Sequence, residues 1–192
     1  MNMYLTSLAK YLLFLEPKDG ISKVRLAKFI YFAHKGLVQQ GLAKTDDLKF
    51  IRMPLGPVPF DFKELINDPS ISTHQVATTL SYNKQVFVLK GKLSMNDKRR
   101  YVCVQAVYHQ LCTIPTSTLV AESHNEPSWA RHRNGDEYCL EEDDVARPLP
   151  STTGARVSVD VDNQLLQARL VEGMLDDIVE ESTLLEYPNG AS

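Results

Sequence analysis

A chain of 192 residues is long enough for one full hydrophobic core and too short for two independent domains. Its 43% apolar and 23% charged residues are those of a folding globular protein, and the longest apolar runs, such as Phe29 to Ala33, fall far short of the roughly 20 residues that cross a bilayer. The net charge of −3 conceals an asymmetry, because residues 1 to 135 hold 18 Lys+Arg against 10 Asp+Glu while residues 136 to 192 hold 3 against 14. A basic body with an acidic end points to a charged partner or to association of the two halves, with plain solvated surface as the alternative.

The start of the chain carries Lys10 inside its apolar stretch and no basic region ahead of it, so it does not read as a secretory signal, and a cytoplasmic protein is expected. Three cysteines, Cys103, Cys112 and Cys139, form no C-x-x-C pair. Reduced thiols are expected, Cys103 and Cys112 as small core residues.

Leu5, Leu8, Leu12 and Leu15 recur at helical spacing over Tyr4 to Leu15, and Asp19-Gly20 breaks the pattern. Ser22 is a candidate N-cap for a second helix running to about Gln40, with Gly41 at its end. That helix is apolar on two adjoining stripes, Val24, Ala27, Tyr31 and Val38 beside Leu26, Phe29, Ile30, Ala33 and Leu37, and should be largely buried. Residues 42 to 54 read as a loop with a short extended piece at Lys49 to Met53. Gly56-Pro57 sets a turn, and the tolerance of proline in a first helical turn predicts a short helix from Pro59 to Ile66.

Two extended runs follow, Gln75 to Tyr82 and Gln85 to Lys90, with Asn83-Lys84 as the hairpin turn. Ser94 and Asp97 open a helix through Tyr101, Val104, Tyr108 and Leu111, ending before Pro115. Thr116 or Ser117 caps a shorter one leading to Trp129. Residues 134 to 156 look irregular, with a block of four acids from Glu141 to Asp144. Val157 to Val161 alternates like a strand, and residues 162 to 182 form an amphipathic helix with Leu165, Ala168, Val171, Met174, Leu175, Ile178 and Val179 at three- and four-residue intervals. These elements predict an α+β fold, predominantly α-helical, with a small β-hairpin or sheet. The division is a domain over residues 1 to 140, an irregular acidic connector over 141 to 161, the acidic helix over 162 to 182 and a tail over 183 to 192.

Residue chemistry gives little support to catalysis. Glu122, His124 and His132, with His34 reachable only through the fold, match no zinc spacing. Cys112 or Ser123 with His109, His124 and Glu122 could supply a nucleophile and base, yet no nucleophile elbow or glycine-rich anion loop surrounds them. No catalytic residue, cofactor or metal is therefore expected. Lys84, Lys90, Lys92, Lys98, Arg99 and Arg100, interleaved with Tyr82, Phe87 and Tyr101, could form a phosphate-facing patch with stacking rings, although a pI near 6.0 weighs against nucleic acid as the main partner.

Three stretches remain: Leu26-Ala-Lys-Phe-Ile-Tyr-Phe-Ala-His-Lys-Gly36, Leu55-Gly-Pro-Val-Pro-Phe60 and Glu122-Ser-His-Asn-Glu-Pro-Ser-Trp129. In this order and spacing they resemble the Panacea domain of SocA-like and GepA-like bacterial and phage-associated antitoxins, over roughly Leu5 to Tyr138. The resemblance implies a compact helical scaffold that inhibits a protein toxin encoded beside it, in some cases an enzyme that modifies tRNA or makes toxic nucleotides. It implies no active site. Tyr31, His34, Gly56, Pro57, His124 and Trp129 then read as residues of the fold, Trp129 closing a corner and His124 ending a helix against a neighbouring loop.

Two uses of the acidic helix stay open. Leu166, Leu170, Met174 and Ile178 could anchor it in a toxin groove while Asp176, Asp177, Glu180 and Glu181 occupy a basic site meant for phosphates, or it could pack on its own basic body. Self-association, a nucleic-acid-binding regulator using Lys84 to Arg100, and a proteolytic adaptor are the alternatives to direct toxin neutralisation. No membrane partner is expected.

Overall fold

The computed structural model describes residues 2–16, 19–77, 83–93 and 97–152 and is an α+β fold. The expected strand at 157 to 161 and the helix at 162 to 182, with Leu166, Leu170, Met174, Asp176, Asp177, Ile178, Glu180 and Glu181, lie outside the described residues.

Helix α1 (Met3–Leu15) begins at Asn2, whose side-chain oxygen accepts from the Tyr4 and Leu5 amides at 3.0 and 3.2 Å. Two free N–H groups of the first turn are thereby satisfied. Its apolar face, Leu5, Leu8, Ala9 and Leu12, is buried. A two-residue strand β1 (Ile21–Ser22) leads into α2 (Lys23–Gln39). Helix α2 ends in a Schellman closure, with Leu42 N donating to Leu37 O at 2.8 Å and Gly41 N to Val38 O at 3.0 Å.

The remaining elements are β2 (Phe50–Met53), β3 (Gly56–Pro59), a 3₁₀ turn (Phe62–Asn67), β4 (Ile71–Ala77), β5 (Asn83–Leu89), α3 (Lys98–Leu111), α4 (Thr116–His124), α5 (Pro127–Arg131), β6 (Glu137–Tyr138) and α6 (Glu142–Ala146). Two antiparallel three-stranded sheets result, in the orders β1-β5-β4 and β3-β2-β6. Helix α2 runs through the middle, touching α1, α3, α4, α6 and both sheets. Its two apolar stripes are buried except for half-buried Val38, because a helix apolar on more than one side must be covered on more than one side. Arg25 ties it to the α3–α4 corner, donating to Ile114 O at 2.9 Å and Cys112 O at 2.7 Å.

Four expectations need correction. Gly56 to Pro59 is an edge strand paired with β2 from Met53↔Gly56 to Phe50↔Pro59 rather than a turn and helix start. An edge position suits Pro57 and Pro59, since the amide they lack is not required there. Asn83-Lys84 is not the hairpin turn, for both residues pair within the ladder, opposite Ala77 and Val76. Strand β4 begins at Ile71, before the expected Gln75. Finally, Glu141 to Asp144 opens α6: the Asp144 carboxylate accepts from Glu141 N at 2.8 Å, closing a capping box that places three acids on the positive end of the helix.

The cap of α3 is Asp97, which accepts from Arg100 N at 3.1 Å. Cys103 and Cys112 are half-buried at the margin of the core rather than inside it.

Candidate functional site

The three motifs converge on one buried polar cluster. Lys28 and Lys35 lie seven residues apart on α2, hence on one line along the helix, and both are fully buried. Lys28 Nζ donates to Pro57 O at 2.9 Å, joining α2 to β3. Lys35 Nζ donates to both carboxylate oxygens of Glu126 at 2.8 Å, joining α2 to the α4–α5 junction. Tyr31, one turn from each lysine, brings its hydroxyl to within 3.5 Å of Glu126 Oε2.

At Gly56, β3 comes up against side chains of both α4 and α2. Its φ is +92°, a left-handed conformation that side chains rarely adopt, and a Cβ there would stand 2.2 Å from Ser123 Oγ and 2.7 Å from Lys28 Nζ. Only hydrogen fits. Ser123, fully buried, donates to Val120 O at 2.7 Å within its own helix. On the far side, Asp144 Oδ1 accepts from Ser128 N at 2.9 Å, so α6 fastens α5.

A stack closes the outer edge. The Trp129 ring lies 4.1 Å from the His124 ring at 15°, and the Arg52 guanidinium sits 4.1 Å over the indole. Trp129 Nε1 donates to Met53 O at 3.2 Å, and Arg52 also reaches Asn134 Oδ1. Trp129 thus pins α5 to the β2–β3 hairpin. His34 is separate, on the α1 side: Tyr4 Oη lies 2.9 Å from Nδ1 and Thr45 O lies 3.4 Å from Nε2. A carbonyl can only accept, so the neutral ring carries its proton on Nε2 and accepts a hydrogen bond from the Tyr4 hydroxyl at Nδ1.

Electrostatics follow from burial. Desolvation pushes the Lys28 ammonium well below its usual range. The Glu126 carboxyl is raised by burial and by Asp144, with the Lys35 ammonium pulling the other way. Burial, then the Lys28 and Arg52 charges, lowers His124. Burial lowers His34 to about 4, against the Thr45 carbonyl and the Asp47 charge. Tyr31 and Tyr138 are raised by burial first and then by neighbouring carboxylates.

Chemically the cluster is a clasp. Its lysines and Glu126 are engaged with one another or with backbone and have no exposed face, so they tie two distant pieces of chain, β3 and the α4–α5 junction, to α2. Gly56, Pro57, Tyr31, His124 and Trp129 all belong to it, and His34 stands apart. Lys28, Lys35, Glu126 and Asp144 were not singled out from the sequence. The signal was two lysines on one line of a helix with two adjoining apolar stripes, a placement that calls for buried acceptors elsewhere.

The basic patch is a different matter. Phe87 is 2% exposed and packs on Phe62, so it cannot stack a base. Arg100 donates to Leu42 O at 3.0 Å and lies over the Tyr4 ring. Among the described residues no three His, Cys, Asp or Glu side chains gather to hold a metal, and no helix is long and apolar enough to cross a membrane. A groove of about 690 Å³ lies between α2 and α3, away from the clasp.

A family model described as "Antitoxin SocA-like, Panacea domain" matches residues 26–130. The match opens at the first residue of the α2 motif and closes just past Trp129, so it contains the motifs of the clasp. No curated protein and no solved structure matches the chain.

Proposed function

With more than half of its length matched, the chain belongs to the SocA-like antitoxin family with a Panacea domain, and we propose that it neutralises a cognate protein toxin by direct contact. The observation that carries this reading is the family match over the segment that builds the clasp. The clasp supports it in a second way, since its lysines and Glu126 are engaged with one another or with backbone, as the parts of a scaffold are. Recognition then falls to surface outside the clasp.

The acidic end of the chain is the proposed contact. Asp176, Asp177, Glu180 and Glu181, with Leu166, Leu170, Met174 and Ile178, offer carboxylates beside apolar anchors, a fit for a toxin whose basic site takes tRNA or nucleotide phosphates. The setting is the bacterial cytoplasm, on a chromosome or a phage genome. A nucleic-acid regulator is disfavoured by the burial of Phe87 and the engagement of Arg100.

Co-expression with the adjacent open reading frame tests the proposal. The neighbour should arrest growth alone, be harmless with this chain and copurify with it, and reversing the four acids to lysine should restore arrest. A neighbour that is harmless alone and does not copurify would sink the assignment for that pair, and accelerated loss of the neighbour would favour a proteolytic adaptor.

A further inference from the structure

The groove between α2 and α3 has Gly36, Leu42, Ala106 and Val107 in its lining and exposed Lys98 and Arg99 at one end. Val102, which also lines it, is 60% exposed, a large apolar side chain standing open on a helix face. The chain itself is led to this groove. Gln39 Nε2 donates to Val145 O at 2.9 Å and Arg147 O at 2.8 Å, and Gln110 Nε2 donates to Pro150 O at 2.8 Å. Leu149 forms part of the wall, beside Gly36.

Forty residues follow Thr152, and they carry 2 Lys+Arg against 8 Asp+Glu. In a helix at about 100° per residue, Ala168, Val171, Leu175, Ile178 and Val179 fall on one face. Leu166 and Leu170 fall on the opposite one, among Asp177, Glu180 and Glu181. Between Ala168 and Glu181 such a helix would have two distinct faces, one apolar and one acidic with Leu170, while Gln164 and Ser182 extend the apolar face with polar ends.

We infer that residues 162 to 182 dock back onto their own domain, seating the Ala168, Val171, Leu175 and Val179 face in the α2–α3 groove with the flanking Glu172 toward Lys98 and Arg99. Charge complementarity, and the delivery of the chain at the rim by Gln39 and Gln110, name this occupant over an outside one. The linker of residues 153 to 161 spans up to about 30 Å when extended, enough to turn the helix back along α3. Docked this way, the segment keeps Leu166, Leu170 and their acids on its outer face. The inference holds whether or not that outer face meets a toxin, because its test uses the free chain.

Cys103 lines the groove, and Cys139, beyond β6, supplies an internal reference. Alkylating the full-length chain with iodoacetamide and quantifying each cysteine by mass spectrometry should show slow reaction at Cys103. Val171→Asp with Leu175→Asp should speed Cys103 about fivefold or more by opening the groove, as should about 0.5 M salt in part, while Cys139 stays unchanged and Leu166→Asp with Leu170→Asp has no effect. Equal Cys103 rates in the parent and Val171→Asp/Leu175→Asp chains would overturn the inference. Protection that fades on dilution would overturn it too, by making a second copy the occupant. A carbodiimide cross-link on the unmutated chain is an independent check: Lys98 should couple within the monomer to Glu172, beside the seated face, and its absence would count against docking.

Discussion

Gly56 and Ser123, sixty-seven positions apart, approach so closely that a single added methyl on Gly56 would stand 2.2 Å from the serine hydroxyl oxygen. Neighbours of that kind set a steric limit, and the left-handed φ of Gly56 adds a conformational one. Gly56→Ala is expected to destabilise the fold by about 3 kcal/mol or more, measured by urea denaturation. Adding Ser123→Ala should recover part of the loss, since the clash with the hydroxyl goes while the strain and the contact with Lys28 Nζ at 2.7 Å remain. If Gly56→Ala were as stable as the parent chain, the close approach would be wrong.

The Lys35–Glu126 pair is buried on both sides. Removing one partner leaves an unpaired charge out of water, so Lys35→Met or Glu126→Leu alone should cost about 3–5 kcal/mol. The double variant should cost clearly less than the sum of the two, because neither charge is then stranded. A strictly additive cycle would mean the two side chains do not act as a pair.

Acid should unfold the protein partly through His34. Its pKa falls from 6.5 to about 4 on folding, so the unfolded chain binds more protons between those values and stability rises with pH through that window. The stabilisation is complete above pH 6.5 and is lost as pH falls toward 4, about 3 kcal/mol in all. Glu126, raised on folding, has the opposite sign, its contribution being lost as pH rises. His34→Gln, which keeps hydrogen-bonding groups near Tyr4 and Thr45, should flatten the slope of stability between pH 4 and 6.5. An unchanged slope would show that another group sets it.

Trp129 should fasten α5 to the β2–β3 hairpin in a measurable way. Trp129→Phe deletes the bond to Met53 O and weakens the contact with Arg52, an expected loss of about 1–2 kcal/mol. Arg52→Ala should cost about 1 kcal/mol, since its side chain is only half-buried. Together the two should lose less than their sum, because they share one contact.

Helices α1, α2 and α3 were legible in the residues because their signals are local. A 3.6-residue apolar period and a terminating glycine act within a few positions, and Gly41 ends α2 where the sequence placed it. Asn2 as the cap of α1 was not singled out, and Ser94, expected to open α3 with Asp97, lies outside the described residues. Strand β3 was not legible, because Pro57 and Pro59 are compatible both with a helix start and with an edge strand. Its pairing with β2 decided between them. Helix α6 was hidden for a related reason: four consecutive acids read as solvated loop until Asp144 is seen capping Glu141 N and accepting from Ser128 N.

The candidate site divides the same way. Its motifs could be quoted from the chain, and Gly56 and Trp129 stood out by their types, yet the clasp depends on Lys28 meeting Pro57 and Lys35 meeting Glu126, the latter 91 positions away. The apolar surroundings of Lys28 and Lys35 on α2 call for buried acceptors, yet nothing near them in the chain names Pro57 or Glu126 as those acceptors. The sequence alone determined the helical α+β character, the central helix α2, the family and the acidic end, since period, composition and motif order are properties of the chain itself. Tertiary structure alone decided which polar side chains face one another. A charged group enters a core only if a partner from elsewhere in the chain arrives with it, and that pairing exists only once the chain has closed on itself.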